Sequence, residues 1–262
     1  MRLLIAGDSH GSIHAWEYWV KAALRADADA IFQVGDNLNM TDMVPYINRI
    51  RELLDRSHLL GYCIDGNHDP LDVLRSYPTI EPGLREIRPN FFYVERGGIV
   101  TFDGINVMGL GGAFSVDREQ RDELTAQDGI IRWWGTETIT LPQAQAAMAA
   151  ARDKKVDVMV THDFPEGVDF QKIRFLKPNE DAQAQRKLIR RVVAVAKPNV
   201  LFHGHHHRRY NETLVIDGHE IAIKGLADHL RYQESYTVFD TNEYRELLSV
   251  KQAMSNSVHR QS

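Results

Sequence analysis

The segment 1–11, MRLLIAGDSHG, shows in one place how a predicted strand ends in polar residues. Leu3–Ala6 is a short apolar run that predicts a buried strand, and this run stops at Gly-Asp. From Ser12 onward apolar residues recur at helical spacing, with Ser12 as the predicted N-cap of the helix. A strand, a polar turn and a helix in succession are typical of a layered α/β fold.

The same succession of strand, polar turn and helix recurs later in the chain. Apolar runs and helical spacings predict strands at Ala30–Val34, Leu59–Ile64, Val156–Val160 and Val200–Phe202, and helices at Thr41–Asp55, Leu141–Lys154 and Asp181–Ala196. Val100–Met108 and the segment around Asp217-Gly218 predict hairpins. We therefore expect a single α/β domain with mixed sheets over residues 1–250, followed by a disordered tail at 251–262.

The bulk composition is that of a soluble globular protein: 262 residues, 43% of them hydrophobic, with a formal net charge of -5. Cys63 is the single cysteine, which excludes an internal disulfide and favours a reducing, cytoplasmic location. The N-terminal apolar run is too short for a secretion signal or a membrane span. A sequence pI near 6.2 argues against a duplex-DNA surface, but a small phosphorylated partner remains compatible with it.

Five segments share one property: each follows a predicted strand and carries residues that bind metals. They are Asp8-Ser9-His10, Gly35-Asp36, Gly66-Asn67-His68-Asp69, His162-Asp163 and Gly204-His205-His206-His207. In open α/β sheets, ligands bind beyond the carboxyl ends of the strands, so these side chains are expected to meet there. Oxygen and imidazole donors without thiolate suit manganese, iron or zinc better than calcium.

Taken in order, Asp-x-His, Gly-Asp, Gly-Asn-His-Asp, His and Gly-His-x-His resemble the calcineurin-like metallophosphoesterase superfamily. The resemblance implies a four-layer α/β/β/α sandwich with two divalent metal ions, Mn²⁺ first, with iron, zinc and nickel as alternatives. It implies that one metal is held by Asp8, His10 and His207 and the other by Asn67, His162 and His205, with Asp36 bridging. It also places His68 beside the phosphate as a catalytic group, and we expect Asp69 to orient it.

The resemblance also implies a reaction, the hydrolysis of a phosphate ester by a hydroxide activated between two cations. Protein Ser/Thr phosphatases of this superfamily extend the second block to Gly-Asp-x-x-Asp-Arg-Gly, whereas here it reads GDNLNM over residues 35–40. The missing Asp-Arg favours a phosphodiesterase acting on small nucleotides, such as 2′,3′-cyclic nucleotides, or on RNA ends. A phosphomonoesterase, including a protein Ser/Thr phosphatase, and a catalytically inactive metal-binding scaffold stay open as alternatives.

Five further residues are candidate substrate contacts. The candidates are Arg118, Arg121, Trp133, Trp134 and Arg208. The tryptophans could stack on a base and the arginines could reach a phosphate, but core packing and solvated charge are the ordinary roles of such residues. The run GGAFS at 111–115, with the two tryptophans beyond it, is similar to small bacterial and bacteriophage members of the superfamily. In the triple histidine, His206 is left open between a spurious match and a supporting role.

Overall fold

The computed structural model describes residues 1–38, 43–169 and 179–258, with side chains described up to residue 249. The strands are β1 (Arg2–Ala6), β2 (Ala30–Gln33), β3 (Leu60–Cys63), β4 (Thr79–Glu81), β5 (Leu84–Arg88), β6 (Phe91–Val94), β7 (Ile99–Phe102), β8 (Ile105–Leu110), β9 (Val158–Thr161), β10 (Val200–His203), β11 (Tyr210–Ile216), β12 (His219–Gly225) and β13 (Tyr236–Asp240). The helices are α1 (Ile13–Arg25), α2 (Met43–Ser57), α3 (Leu71–Ser76), α4 (Arg118–Asp128), α5 (Leu141–Asp153), α6 (Glu180–Ala196) and α7 (Thr241–Val258).

The strands form two mixed sheets. The first sheet has the order β13-β1-β2-β3-β6-β5-β4, and the second has the order β11-β12-β10-β9-β8-β7. Neighbours β1, β2, β3 and β6 are parallel in the first sheet, and β8, β9, β10 and β12 are parallel in the second. Antiparallel strands flank both parallel centres. The parallel centres bring the carboxyl ends of their strands to one edge of each sheet.

The apolar side chains of β1 show how the layers are built. Leu3 and Ile5 point into the core between the two sheets, where they join Phe202 of the second sheet. Leu4 and Ala6, on the opposite face, pack in the core beneath α1 and α2. The second sheet has its own outer core, against α5 and α6. Helix, sheet, sheet and helix therefore form four layers, and the predicted α/β/β/α sandwich is confirmed.

Local signals in the sequence account for several boundaries. The Ser12 hydroxyl accepts a hydrogen bond from the backbone N–H of Ala15, so it caps α1 as predicted. Asp103 adopts a positive φ of 49° in the β7–β8 turn, and Asp217 adopts one of 50° in the β11–β12 turn, which confirms both predicted hairpins. Residues 41 and 42, where the second helix was predicted to begin, lie outside the described residues.

Several parts of the fold were not predicted. Strands β4, β5 and β6 occupy residues 79–94, to which no element was assigned, and α4 lies in the charged segment that follows the glycine-rich run. Helix α7 continues to Val258, into the segment assigned to a tail. The domain limits remain a prediction. Within the described residues, no helix combines the length and the apolar character needed to cross a membrane.

Candidate metal centre and active site

The five predicted segments follow the strands that run parallel at the centres of the two sheets. β1, β2 and β3 lead into Asp8, Asp36 and Asn67, while β9 and β10 lead into His162 and the triple histidine. Because these strands end at facing edges of the stacked sheets, their polar turns meet in one place. The structure thus brings the predicted metal-binding side chains together.

A first group consists of Asp8, His10 and His207. Nε2 of His207 lies 3.2 Å from Oδ2 of Asp8 and 2.9 Å from Nε2 of His10. Asp8 is fully buried, and its Oδ1 atom has no hydrogen-bond partner among the described residues. A buried carboxylate oxygen without a partner is costly unless a cation satisfies it. The group is therefore suited to a metal ion.

A second group consists of Asp36, His162 and His205, whose candidate ligand atoms lie within 4.8 Å of one another. Nδ1 of His162 donates a hydrogen bond to the carbonyl of Val34 over 2.8 Å, which directs Nε2 away from the backbone. That Nε2 atom lies 3.3 Å from Oδ1 of Asp36 and 3.1 Å from Oδ1 of Asn67. Two oxygens and two imidazoles therefore face one another, a donor set typical of a divalent cation.

Asp36 lies between the two groups. Its Oδ1 faces His162, while its Oδ2 lies 3.9 Å from Nδ1 of His10 and 3.8 Å from Nε2 of His68. The backbone N–H of His68 donates to Oδ1 over 2.8 Å, which fixes the carboxylate. The two oxygens of one buried side chain are therefore directed towards different groups of ligands.

The electrostatics of the second group also suit a cation. Burial favours the neutral form of Asp36, but the imidazoles of His162 and His68 outweigh it and hold its pKa well below the ordinary value. Burial lowers the pKa of His162, but the charge of Asp36 more than offsets this and raises it to about 10. Burial and the neighbouring His206 lower the pKa of His205 well below its usual range. Asp36 and His205 are thus in the protonation states that bind metal, whereas His162 must lose its Nε2 proton, whose place beside Asp36 a bound cation would take.

Two glycines allow the backbone to approach the carboxylates. A Cβ atom on Gly66 would lie 2.1 Å from Oδ1 of Asp36, and one on Gly204 would lie 2.0 Å from Oδ1 of Asp8. Side chains at these positions would collide with the candidate ligands. The backbone is strained here too, since several candidate ligands have left-handed φ angles, namely His10, Asp36, His205 and His207. Such strain persists where the surrounding structure enforces it, and it is typical of functional sites.

His68 lies at the open side of the two groups, with 37% of its side chain exposed. Its Nε2 atom lies 2.5 Å from Nη2 of Arg121, and because arginine only donates, Nε2 is the acceptor in this contact. The expectation that Asp69 orients His68 is wrong. The Asp69 carboxylate instead accepts hydrogen bonds from the backbone N–H groups of Gly66 and Leu38, over 2.8 and 2.7 Å, and so holds two turns together.

The other predicted substrate contacts divide between two places. Trp134 and Arg121 line a cleft of about 490 Å³ that also reaches His68. The guanidinium of Arg118 instead stacks on the ring of Trp133, 3.7 Å from its centroid, and the two side chains line a separate depression. Arg208 follows the last histidine block and is partly exposed. The structure therefore brings only part of the predicted set beside the candidate metal centre.

His206 in the last block and His203 just before it have supporting contacts. His203 is fully buried and hydrogen-bonds through Nε2 to the hydroxyl of Tyr210 over 2.5 Å, as expected of a core histidine. Nε2 of His206 lies 2.8 Å from Oδ1 of Asp163, whose Oδ2 accepts from Arg186 over 3.1 Å. Because the guanidinium of Arg186 already lies beside Asp163, this cluster is better suited to supporting the loop than to holding a further metal.

Asp228 and His229 were missed by the sequence reasoning. Oδ2 of Asp228 lies 3.5 Å from Nδ1 of His207, and the ring of His229 lies 5.9 Å from that of His10. A carboxylate behind a metal-binding imidazole fixes its orientation. The signal was available, since Asp-His follows the strand at residues 219–225 in the same way as the other blocks do.

Comparison with known proteins gives the class. Residues 1–209 match the family model of the calcineurin-like phosphoesterases, so the chain belongs to that family. The family is dimetal-dependent and hydrolyses phosphate esters, and the chain is accordingly a hydrolase of phosphoesters. No curated protein matches the sequence.

Solved structures agree with the fold. A Thermus thermophilus protein is 14% identical with a TM-score of 0.54, over 91% of this chain and 98% of that chain. A dimetal phosphatase from Danio rerio is 11% identical with a TM-score of 0.50, over 91% of each chain. At such low identity the likeness shows the shared fold alone.

Proposed function

We propose that this protein hydrolyses phosphodiesters with two divalent metal ions, and that its substrates are small nucleotides such as 2′,3′-cyclic nucleotides. The observation that carries the proposal is the position of Asp36, with one carboxylate oxygen directed towards His162 and the other towards His10. A carboxylate directed in this way is suited to bridging a pair of adjacent cations.

The residues that would hold the metals are those of the two groups. Asp8, His10 and His207 would hold one ion, and Asn67, His162 and His205 the other, with Asp36 shared. When bound, such a pair supplies Lewis-acid activation of the phosphoryl group and of water. Manganese is the metal we propose, with iron, zinc and nickel as alternatives, because the donors are carboxylate, amide and imidazole without thiolate.

The chain's own contribution to the reaction is positioning and proton transfer. His68 is held by its backbone N–H against Asp36, at the mouth of the cleft. From there its imidazole, once protonated, can pass a proton to the departing alcohol, and such general acid help is worth about 10²–10⁴-fold. Asp69 acts on this geometry only through the backbone of the turns that it joins.

A comparison of two chromogenic esters tests the proposal. Manganese-supplemented protein should hydrolyse bis-p-nitrophenyl phosphate faster than p-nitrophenyl phosphate, because the segment 35–40 lacks the Asp-Arg of the phosphatase pattern. Faster hydrolysis of the monoester would favour a phosphomonoesterase instead. A parallel screen across cyclic nucleotides, dinucleotides and monoesters identifies the preferred class.

Variants separate an enzyme from an inactive scaffold. Asn67→Ala and His68→Ala should each lose most of the turnover, while Ser76→Ala, an exposed change whose hydroxyl donates only to the carbonyl of Val73, should retain it. Turnover by both variants at the wild-type rate would show that the site is assigned wrongly. No turnover of any ester by the metal-supplemented wild type would favour the scaffold.

A further inference from the structure

The cleft beside the candidate metal centre has an apolar wall. It has a volume of about 490 Å³, and its lining includes His10 and His68 together with Leu124, Ile131 and Trp134. Leu124 is 39% exposed and Ile131 is 55% exposed, so large apolar side chains face solvent directly beside a polar centre. A concave apolar surface with a few directed polar groups is typical of a small-molecule site.

Arg121 lies where this wall meets the polar centre. The residue is 6% exposed, its Nε atom donates to Oδ2 of Asp117 over 2.9 Å, and its Nη2 atom donates to Nε2 of His68 over 2.5 Å. Its Nη1 atom is buried and has no hydrogen-bond partner among the residues that the structure describes. The guanidinium is therefore held in place at two of its nitrogens and has donor capacity left at the third.

An unpaired, buried guanidinium N–H is best satisfied by an anionic oxygen. Leaving such a donor unsatisfied is unfavourable, and charge-assisted bonds to phosphate oxygens are among the strongest that arginine makes. Arg121 contacts His68, and Nε2 of His68 lies 3.8 Å from Oδ2 of Asp36. The unpaired donor is thus two contacts away from the carboxylate shared by the two groups, within the region where a phosphoryl group would be bound.

The apolar wall indicates what is attached to that phosphoryl group. Trp134 offers a flat ring, and Leu124 and Ile131 offer aliphatic surface, at the same mouth where His68 and Arg121 lie. A cleft of about 490 Å³ accommodates a group of nucleoside size. Aromatic side chains bind bases of any kind by stacking on their faces.

We propose that Arg121 binds a phosphoryl oxygen of the substrate and that the cleft holds its planar, largely apolar organic group, with Trp134 stacking on it. This inference rests on the proposed phosphoester hydrolysis and adds which ester is preferred, one bearing a nucleoside or aryl group.

Calorimetric titration of manganese-supplemented protein with three probes tests this inference. The probes are inorganic phosphate, ribose 5-phosphate and AMP, so that the last two differ only by the base. The wild type should bind AMP about 5- to 100-fold more tightly than ribose 5-phosphate. Trp134→Ala should remove this difference and leave the affinity for inorganic phosphate within about twofold of the wild type. Trp134→Phe should retain most of the difference between AMP and ribose 5-phosphate.

Arg121→Ala should weaken the binding of all three probes by about 10- to 100-fold, as expected for a lost hydrogen bond to a charged group. Arg121→Met, which keeps the apolar stem, is the second variant, and circular dichroism with urea midpoints checks that both are folded. The matched control is Arg51→Ala, since Arg51 also pairs with an aspartate four residues away on a helix, at 3.0 Å.

Two results would overturn the inference: equal affinity of the wild type for AMP and ribose 5-phosphate, or unchanged phosphate affinity in a folded Arg121 variant. Turnover of bis-p-nitrophenyl phosphate is measured separately. Binding as described without any turnover would refute the proposed function and leave this inference standing. Turnover combined with equal binding of AMP and ribose 5-phosphate would support the proposed function and refute this inference.

Discussion

The side-chain amide of Asn67 donates a hydrogen bond to the hydroxyl of Ser115 over 3.0 Å, so that its Oδ1 atom faces His162. Ser115 is itself held, because its hydroxyl donates to Glu137 and its backbone N–H donates to the same carboxylate over 2.9 Å. The contact determines which atom of the amide is presented to the second group of ligands. It also ties that group to the segment that carries α4.

Ser115→Ala should therefore weaken metal binding although Ser115 is not a candidate ligand. Loss of a residue that orients a ligand costs about 10- to 100-fold in metal affinity or activity, and we expect a decrease of about 10-fold in manganese affinity. Calorimetric titration with manganese measures it. Ser76→Ala is the matched control, since the Ser76 hydroxyl donates to a backbone carbonyl in an exposed position. Equal manganese affinity in the Ser115 variant and the wild type would contradict the role.

Gly66→Ala should disturb the centre through one methyl group. The added Cβ would lie 2.1 Å from Oδ1 of Asp36, so the carboxylate or the loop must move. Overpacking of this kind costs about 1–3 kcal/mol of stability, and we expect ester turnover to fall by at least about 10-fold because Asp36 is displaced. Urea denaturation and turnover are the measurements.

The matched control for Gly66→Ala is Gly135→Ala, where the nearest atom to an added Cβ would be 3.7 Å away on Trp133. This variant should remain close to the wild type in both measurements. A Gly66→Ala protein with wild-type turnover would show that Asp36 tolerates displacement and has no fixed place between the two groups.

The fold around the centre could be predicted because each block depends on local sequence. A short apolar run followed by Gly-Asp or Gly-Asn-His predicts a buried strand that ends in a polar turn, and β1, β2 and β3 follow this pattern. Parallel neighbours then bring the turns together without further information. The meeting of Asp8 with His207 follows from the same rule applied to the second sheet.

The parts that could not be predicted depend on contacts between distant residues. Helix α4 has few apolar residues, and its position depends on side chains such as Arg121, which reaches His68 from outside the sheets. The role of Asp69 was predicted wrongly because neighbours in sequence were assumed to be partners. Its carboxylate turns inward to backbone N–H groups of the β2 and β3 turns, a choice that the sequence does not reveal.

The Cys63 thiol should be unreactive in the folded protein. It is buried, and burial together with the charges of Asp69 and Asp65 raises its pKa well above the ordinary value. Because the thiolate is the reactive form, labelling by a disulfide reagent at pH 8 should be at least about 100-fold slower in buffer than in urea. Absorbance of the released thiol measures the rate, with Cys63→Ser as the blank. Rapid labelling in buffer would show that β3 opens or that the thiol is accessible.

Arg96 and Asp65 form an ion pair at 2.7 Å in which both side chains are fully buried. Arg96 also donates to the carbonyls of Thr136 and Glu137, over 2.9 Å each, so it fastens the segment beyond α4 to the first sheet. Removing one partner of a buried pair leaves the other charge unpaired and costs about 3–5 kcal/mol. Arg96→Met should lower the free energy of unfolding by this amount, measured by urea denaturation.

The control for Arg96→Met is Arg85→Met, because Arg85 pairs with Glu95 at a similar 2.8 Å, but with about a fifth of each side chain exposed. Water stabilises the remaining charge there, so the cost should be no more than about 1 kcal/mol. Since Arg96 fastens the segment that carries Glu137, its replacement should also loosen the Ser115 contact and lower manganese affinity, whereas the Arg85 change should leave that affinity unaltered. An equal loss in free energy of unfolding for the two variants would mean that burial does not determine how much the Arg96–Asp65 pair stabilises the protein.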